Sequence, residues 1–261
     1  MQGILNKKVL ITAGASGLGK ATAIALHQAG AQVHICDIDT AALQSMATEY
    51  PDITSSETDV GNPERVAALF EDVRKLFANE LHFLVNNAGI AGPAGPLQSL
   101  DIEAWKATFD INLHATFYVS RLAIPMLKQA GGGAIMNLSS TAGLYGYPNR
   151  SPYAAAKWAI VGLTKTMAME LGPEQIRVNC ICPGSVNGER MDRVIASIAA
   201  ATGEATAKVR QDNVRNTSMQ TFVDAEDIAN MIMFSFSDLG AKISGQALTV
   251  DGDTHSLAVY D

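Results

Sequence analysis

Short β-rich apolar runs alternate along this chain with longer stretches whose apolar residues recur at helical spacing. The first run, Lys8–Thr12, leads directly into glycines. Residues 18–29 carry a helical pattern that stops at Gly30, and 32–36 form the next run. A Gly-Asn-Pro start signal precedes a helical pattern over 63–78, and 81–85 is a clear strand that runs into Asn86-Asn-Ala-Gly89. The alternation continues with helix over 102–129, a break at Gly131-Gly-Gly133, strand 134–138, helix 153–171 and strand 176–181. Helical patterns over 191–214 and 225–235 follow, and Ala247–Val250 closes the series. Strands alternating with helices of this length predict βαβ crossovers. The expected architecture is α/β, a doubly wound and mainly parallel sheet with helices on both faces. No change of composition marks a second unit, so residues 1–261 are read as a single domain. The least regular stretch, 184–219, follows a strand end. Ligands bind beyond the carboxyl ends of strands in open α/β sheets, so this stretch is expected to form a small lid.

Composition narrows the partners. With 48% hydrophobic and 17% charged residues, the chain has ample material for a core. A net charge of −7 argues against nucleic acid, whose binding leans on Lys and Arg against phosphates. No apolar run reaches the length of a membrane span, and the N-terminus lacks the order of a signal peptide. A cytoplasmic location is therefore expected, with Cys36, Cys180 and Cys182 as free buried thiols. Cys180 and Cys182 share one strand face, but without CxxC or a nearby histidine they predict no metal site.

Three features carry candidate chemistry. Thr12-Ala-Gly-Ala-Ser-Gly-Leu-Gly19 lies between the first strand and the first helix. Glycines there let backbone N–H groups approach a pyrophosphate, and the helix N-terminus adds partial positive charge. Asp37 follows, eighteen residues beyond Gly19 at the end of the second strand. An acid so placed binds the ribose 2′-hydroxyl of NAD and repels the 2′-phosphate of NADP. Neither Ser16 nor Ile38 supplies a cation for that phosphate, so NAD is the expected cofactor. Tyr153 and Lys157 stand four apart on a predicted helix and share a face. A free phenol is a poor proton acceptor at neutral pH, and a cation beside it favours the phenolate. Such a pair is suited to moving a proton to or from a substrate oxygen.

In this ordered set the chain resembles the short-chain dehydrogenase/reductases, nearly end to end. Their TGxxxGxG loop is matched at Thr12, Gly17 and Gly19, with Ala13 where the first glycine is expected. Asp59-Val60 matches the pair bordering the adenine, and Asn86-Asn-Ala-Gly89 the stretch that lines the cofactor. Asn112 matches the helix asparagine, and Pro183-Gly184 the turn after the sixth strand. Ser140 lies thirteen residues before Tyr153, so it rather than Ser139 matches the catalytic serine, and Tyr153 and Lys157 match YxxxK. The resemblance implies a Rossmann-type fold and an NAD-dependent oxidoreductase acting on CH–OH groups. It implies Ser140, Tyr153, Lys157 and Asn112 as catalytic residues. For the cofactor it implies Gly14, Ser16, Gly17, Leu18, Gly19, Asp37, Ile38, Asp59, Val60, Asn86, Ala88, Gly89, Pro183, Gly184 and Val186, besides Tyr153 and Lys157. Tyr153 then takes the hydroxyl proton while hydride moves to the nicotinamide, and Lys157 assists it and binds the nicotinamide ribose. Ser140 polarises the substrate oxygen, and Asn112 helps to anchor a water that connects Lys157 to solvent. A homotetramer or homodimer is implied, built through the helices near Asn112 and Tyr153 and the C-terminal strand.

Two departures from the family pattern bear on the cofactor. Ala13 adds a methyl at a tight turn, but alanine tolerates most conformations with negative φ, and binding is expected to survive. Gly188 falls where many relatives carry a threonine for the nicotinamide carboxamide. That loss is worth roughly 0.5–1.5 kcal/mol unless Ser185, backbone amides or water replace the hydroxyl. The substrate wall is expected from 92–97, from the residues just before Tyr153 and from the segment after Gly184. Arg150, Arg190 and Arg193 lie in or beside these segments. They read either as a site for a carboxylate, sulfonate or phosphate or as arginines of a solvated surface. The expected substrate is a small secondary alcohol or ketone, with a hydroxy acid or other anionic compound as the sharper form. A 3-oxoacyl thioester reductase of the same family and a non-catalytic dinucleotide-binding protein are the alternatives. Intact Ser140, Tyr153 and Lys157 speak against the second.

Overall fold

Burial on both faces explains why most strands of this chain read as nearly continuous apolar runs. The computed structural model describes residues 2–257. Its strands are β1 (Lys8–Thr12), β2 (Gln32–Asp37), β3 (Thr54–Glu57), β4 (Phe83–Asn86), β5 (Gly133–Leu138), β6 (Ile176–Pro183) and β7 (Ala247–Val250). Its helices are α1 (Gly17–Gln28), α2 (Thr40–Glu49), α3 (Pro63–Leu76), α4 (Ile102–Phe109), α5 (Ala115–Gln129), α6 (Ser151–Leu171), α7 (Glu189–Thr202), α8 (Thr206–Arg215) and α9 (Ala225–Phe236). The strands form one parallel sheet in the order β3-β2-β1-β4-β5-β6-β7. Successive residues of β1 point to opposite faces. Val9 and Ile11 join a core with α1 and α9, while Leu10 joins a core with α3 and α5. The strand order reverses between β1 and β4, and the carboxyl ends of these two strands open the ligand crevice expected of such sheets.

Several elements differ from the pattern-based expectation. β3 reads TSSE, and apart from half-buried Ser56 its residues are exposed, so no apolar rhythm announces it. It joins the sheet edge because His34, buried in β2, bonds Thr54 Oγ1 at 2.9 Å and Ser56 Oγ at 3.0 Å through its two ring nitrogens. α2, also unforeseen, starts at an Asp39 cap that accepts from Ala42 N at 3.0 Å. Residues 102–129 are not one α-helix, because a π-turn over Asp110–His114 separates α4 from α5. Gly203, at φ 74°, ends α7 and divides 191–214 in two. α7 and α8 share a small core of Ile195, Ala199 and Val209, apart from the two main ones. Backbone bridges at Val186–Val223 and Thr217–Thr254 tie both ends of this segment to the body. The three cysteines are free and buried. Among the described residues no helix is long and apolar enough to cross a membrane.

Candidate active site

Thr12 joins the two strand ends at the crevice. Its hydroxyl accepts from the backbone N–H of Asn87 and of Ala88, both at 3.0 Å. Asn87 Nδ2 donates to Thr12 O at 3.1 Å and to Ala13 O at 2.9 Å. A Cβ at Gly19 would lie 2.1 Å from Ala13 O, so the first turn of α1 passes the strand end with no room for a side chain. Gly14 packs on Ile35. Ser16, the N-cap of α1, makes no side-chain cap, Ser16 and Gly17 are exposed, and Leu18 is half-buried. The N–H groups at the start of α1 are thus left for an anionic ligand. Ala13 corrects the expectation of a negative φ. It stands at 50°, a left-handed conformation that costs an alanine on the order of 1 kcal/mol. The bond from Asn87 to Ala13 O holds it there.

Asp37 ends β2 largely buried, its carboxylate accepting from Ala15 N at 3.1 Å and Asp39 N at 3.2 Å. Ile38 beside it is exposed, and Lys20 of α1 is tied to Glu49 at 3.0 Å. Asp59 is exposed and accepts from Gly61 N at 2.9 Å, whereas Val60 is buried in the core shared with α3.

The candidate proton-transfer group gathers on α6. Lys157 Nζ lies 5.7 Å from the centre of the Tyr153 ring and donates to Leu138 O at 2.8 Å. Burial, helped by the positive charge of Arg190, pushes the Lys157 ammonium down to about 7, while Cys182 and Cys180 pull the other way. The two serines after β5 divide their work. Ser139 Oγ is buried and donates to Lys157 O at 2.9 Å, whereas the half-buried Ser140 accepts from Ala142 N at 3.1 Å. The π-turn brings Asn112 inward, where its Nδ2 donates to Thr108 O at 2.8 Å and Ile90 O at 3.0 Å. Its Oδ1 is buried and accepts nothing within the protein. A Cβ at Gly89 would meet that Oδ1 at 2.7 Å and Lys157 Nζ at 3.3 Å. The amide oxygen and the ammonium therefore converge over Gly89, which only glycine permits.

Behind this group a polar chain runs from Asn86 through residues that the motifs did not single out. Asn86 Nδ2 donates to Asn137 Oδ1 at 2.8 Å and to Ser120 Oγ at 2.9 Å, and Asn137 Nδ2 donates to Thr164 Oγ1 at 2.9 Å. An asparagine within the apolar run of β5 is the signal that points to it, since buried amides need partners. Ala88 is half-buried beside Asn86.

At the β6 end, Pro183 pairs with Val250, and Gly184 N donates to Val250 O at 3.1 Å. Val186 is half-buried at the foot of the lid segment. Gly188 caps α7 at φ 131°, so a threonine there would be strained as well as absent. The three arginines part company. Arg150 lies against the Tyr153 ring, its guanidinium carbon 5.9 Å from the ring centre. Arg190 is exposed on α7 with its charge felt at Lys157. Arg193 turns to Glu189 at 3.6 Å on the solvent side. Among the described residues no cluster of His, Cys, Asp and Glu could hold a metal.

A family model described as Enoyl-(Acyl carrier protein) reductase matches residues 12–255. Cyclohexanol dehydrogenase of Acinetobacter sp. (strain SE19) is 34% identical over 251 residues, 95% of this chain and 94% of that protein. The chain belongs to the short-chain dehydrogenase/reductase family. Within the family, trans-4-hydroxycyclohexanecarboxylate dehydrogenase of Sinomonas cyclohexanicum is 33% identical over 95% of this chain and 93% of that protein. The solved structure of NAD+-bound xylitol dehydrogenase superposes with a TM-score of 0.89 at 28% identity, covering 96% of this chain and 98% of that one. As a member of the family, this protein is an oxidoreductase acting on CH–OH groups.

Proposed function

We propose that the protein interconverts a small secondary alcohol and its ketone with NAD(H), with Tyr153 moving the proton at the carbinol oxygen. The observation that carries this reading is the convergence over Gly89 of Lys157 Nζ and the unsatisfied Asn112 Oδ1, one helical turn from Tyr153. The residues present fit the dinucleotide. The glycine turn, the uncapped start of α1 and the buried carboxylate of Asp37 suit a pyrophosphate and a ribose diol, and Lys20 of α1 is already paired with Glu49. NAD(H), when bound, takes or supplies the hydride. Tyr153 accepts or donates the hydroxyl proton, and Ser140 Oγ orients the substrate oxygen. Lys157, brought down to about 7, can hold or release a proton near neutral pH, and the free Asn112 Oδ1 is available to accept a hydrogen bond from a water that relays it to solvent. Residues 184–219 serve as the lid of a single catalytic domain. Phe117 on α5, with Trp158 and Met169 on α6, is more than half exposed, which supports a homodimer or homotetramer assembled through these helices.

Tyr153→Phe is expected to lower turnover at least about a hundredfold, while NADH fluorescence still reports binding. Near-normal turnover in that variant would sink the assignment.

The substrate carries an anionic group in this reading. Arg150 Nε is buried without an acceptor, and among the described residues neither Arg150 nor Arg190 has an ion-pair partner. A desolvated cation is best satisfied by an anion. Trans-4-hydroxycyclohexanecarboxylate dehydrogenase is named for a substrate of that class. With 4-hydroxycyclohexanecarboxylate and cyclohexanol as a matched pair, kcat/KM should favour the carboxylate by at least about tenfold, the scale of one charged hydrogen bond. Equal values would remove the anion.

A further inference from the structure

Tyr153 occupies the third position of α6, within the first turn of a helix whose N-cap, Arg150, makes no side-chain cap. First turns lack intrahelical acceptors for their N–H groups and fray easily. A proton-transfer residue on such a turn needs another anchor, since a misplacement of about 1 Å can cost on the order of a hundredfold in rate. Lys157 flanks the Tyr153 ring from the C-terminal side at 5.7 Å. From the N-terminal side the ring is flanked by Arg150, whose guanidinium carbon lies 5.9 Å from the centre of Tyr153 and also 5.9 Å from the centre of Tyr147. The same guanidinium donates through Nη2 to Ala91 O at 3.2 Å. One residue earlier, Asn149 O accepts from Gly95 N at 2.9 Å. Two separate segments, 91–95 after β4 and 147–150 before α6, are thus stitched together at the guanidinium. A planar cation with a fixed fork of donors can do this, whereas a flexible ammonium has no such shape. A cation within about 6 Å of a ring face is drawn to it, and two such contacts from one guanidinium brace this turn of helix.

We infer that Arg150 is a positioning residue, holding Tyr153 and the first turn of α6 against the 91–95 segment whatever the charge of the substrate. The inference rests on Tyr153 being the proton-transfer group. It assigns Arg150 a task separate from reading an anion, and the two tasks come apart on a neutral substrate.

The test uses the full-length protein with NAD+ and cyclohexanol, alongside hydrogen exchange of the α6 first turn, which needs no substrate. In Arg150→Met, kcat on cyclohexanol is expected to fall at least about tenfold, with KM and NADH affinity within about twofold of the parent. Exchange at Ala154 and Ala155, the first amides of α6 with helical acceptors, should quicken while the rest of α6 keeps its protection. In Arg150→Ala, millimolar guanidinium chloride should restore part of the lost turnover, which a general loss of stability would not allow. Tyr147→Leu, which keeps the guanidinium and removes one ring face, should move kcat and exchange the same way by less. It serves as the second variant if Arg150→Met does not fold. Unchanged exchange at Ala154 and Ala155 in the variants overturns the inference, as does a cyclohexanol kcat within about twofold of the parent. Tyr153→Phe is run beside them. If it keeps its turnover, the underlying reading of Tyr153 falls. If it is inactive while Arg150→Met is fully active, only the role of Arg150 falls.

Discussion

A lysine ammonium almost wholly removed from water destabilises the fold that holds it, and Lys157 is 3% exposed. Its folded value of about 7 lies below the roughly 10.4 of an unfolded lysine, so between those limits the unfolded chain binds more protons. Stability therefore rises with pH across that window, and the burden is greatest at pH 7 and below. Lys157→Met should be more stable than the parent at pH 7, and its advantage should shrink by roughly 1.4 kcal/mol per pH unit towards pH 10. Urea denaturation at pH 7 and pH 9 checks this, and a gap that does not change with pH would show that the ammonium is not the cost. The lone methyl of Ala13 adds a second local burden in the same site, a left-handed alanine where the family carries glycine. Both residues keep strained or desolvated states that the surrounding contacts over-determine, a pattern common where ligands bind.

At the level of elements, the sheet edge depends on one side chain. β3 has no apolar face of its own, and its register on β2 is set by the neutral His34 ring between Thr54 and Ser56. Burial lowers His34 to about 4, against a weaker opposite pull from Asp72. The unfolded chain takes up a proton at about 6.5, so stability contributed at neutral pH is lost as pH falls from about 6.5 to about 4. His34→Gln, which cannot titrate, should lose less on going from pH 7 to pH 4.5, by roughly 2–3 kcal/mol. Equal losses in urea midpoints, after allowance for the m-values, would contradict this. The π-turn is the other decisive element. An uninterrupted α-helix over 102–129 would not give Asn112 the two carbonyl partners that fix its amide and leave Oδ1 facing Lys157.

Across the whole molecule, the reversal of strand order places the glycine turn after β1 beside the Asn-Asn-Ala-Gly stretch after β4, and the β5 and α6 residues complete the crevice. Most of this was legible. The apolar runs of β1, β2, β4, β5 and β6 read directly because both faces of a parallel sheet are buried. Asp37, Tyr153 and Lys157 stand out as candidates by their spacing, and Ser140 by the family resemblance. β3 and α2 were not legible, since neither carries a long apolar pattern and both depend on partners elsewhere, His34 for one and a capping aspartate for the other. By itself, then, the sequence determined the alternation of most strands and helices, the glycine turn and the motifs that mark Tyr153 and Lys157 as the candidate proton-transfer pair, because each is a pattern of neighbours a few residues apart. Only the tertiary structure decided the left-handed Ala13, the π-turn at Asn112, the polar chain from Asn86 to Thr164, the burial of Lys157 and the seat of Arg150 between two tyrosine rings. Each of these is set by atoms from segments far apart in the chain, and no local pattern carries their distances.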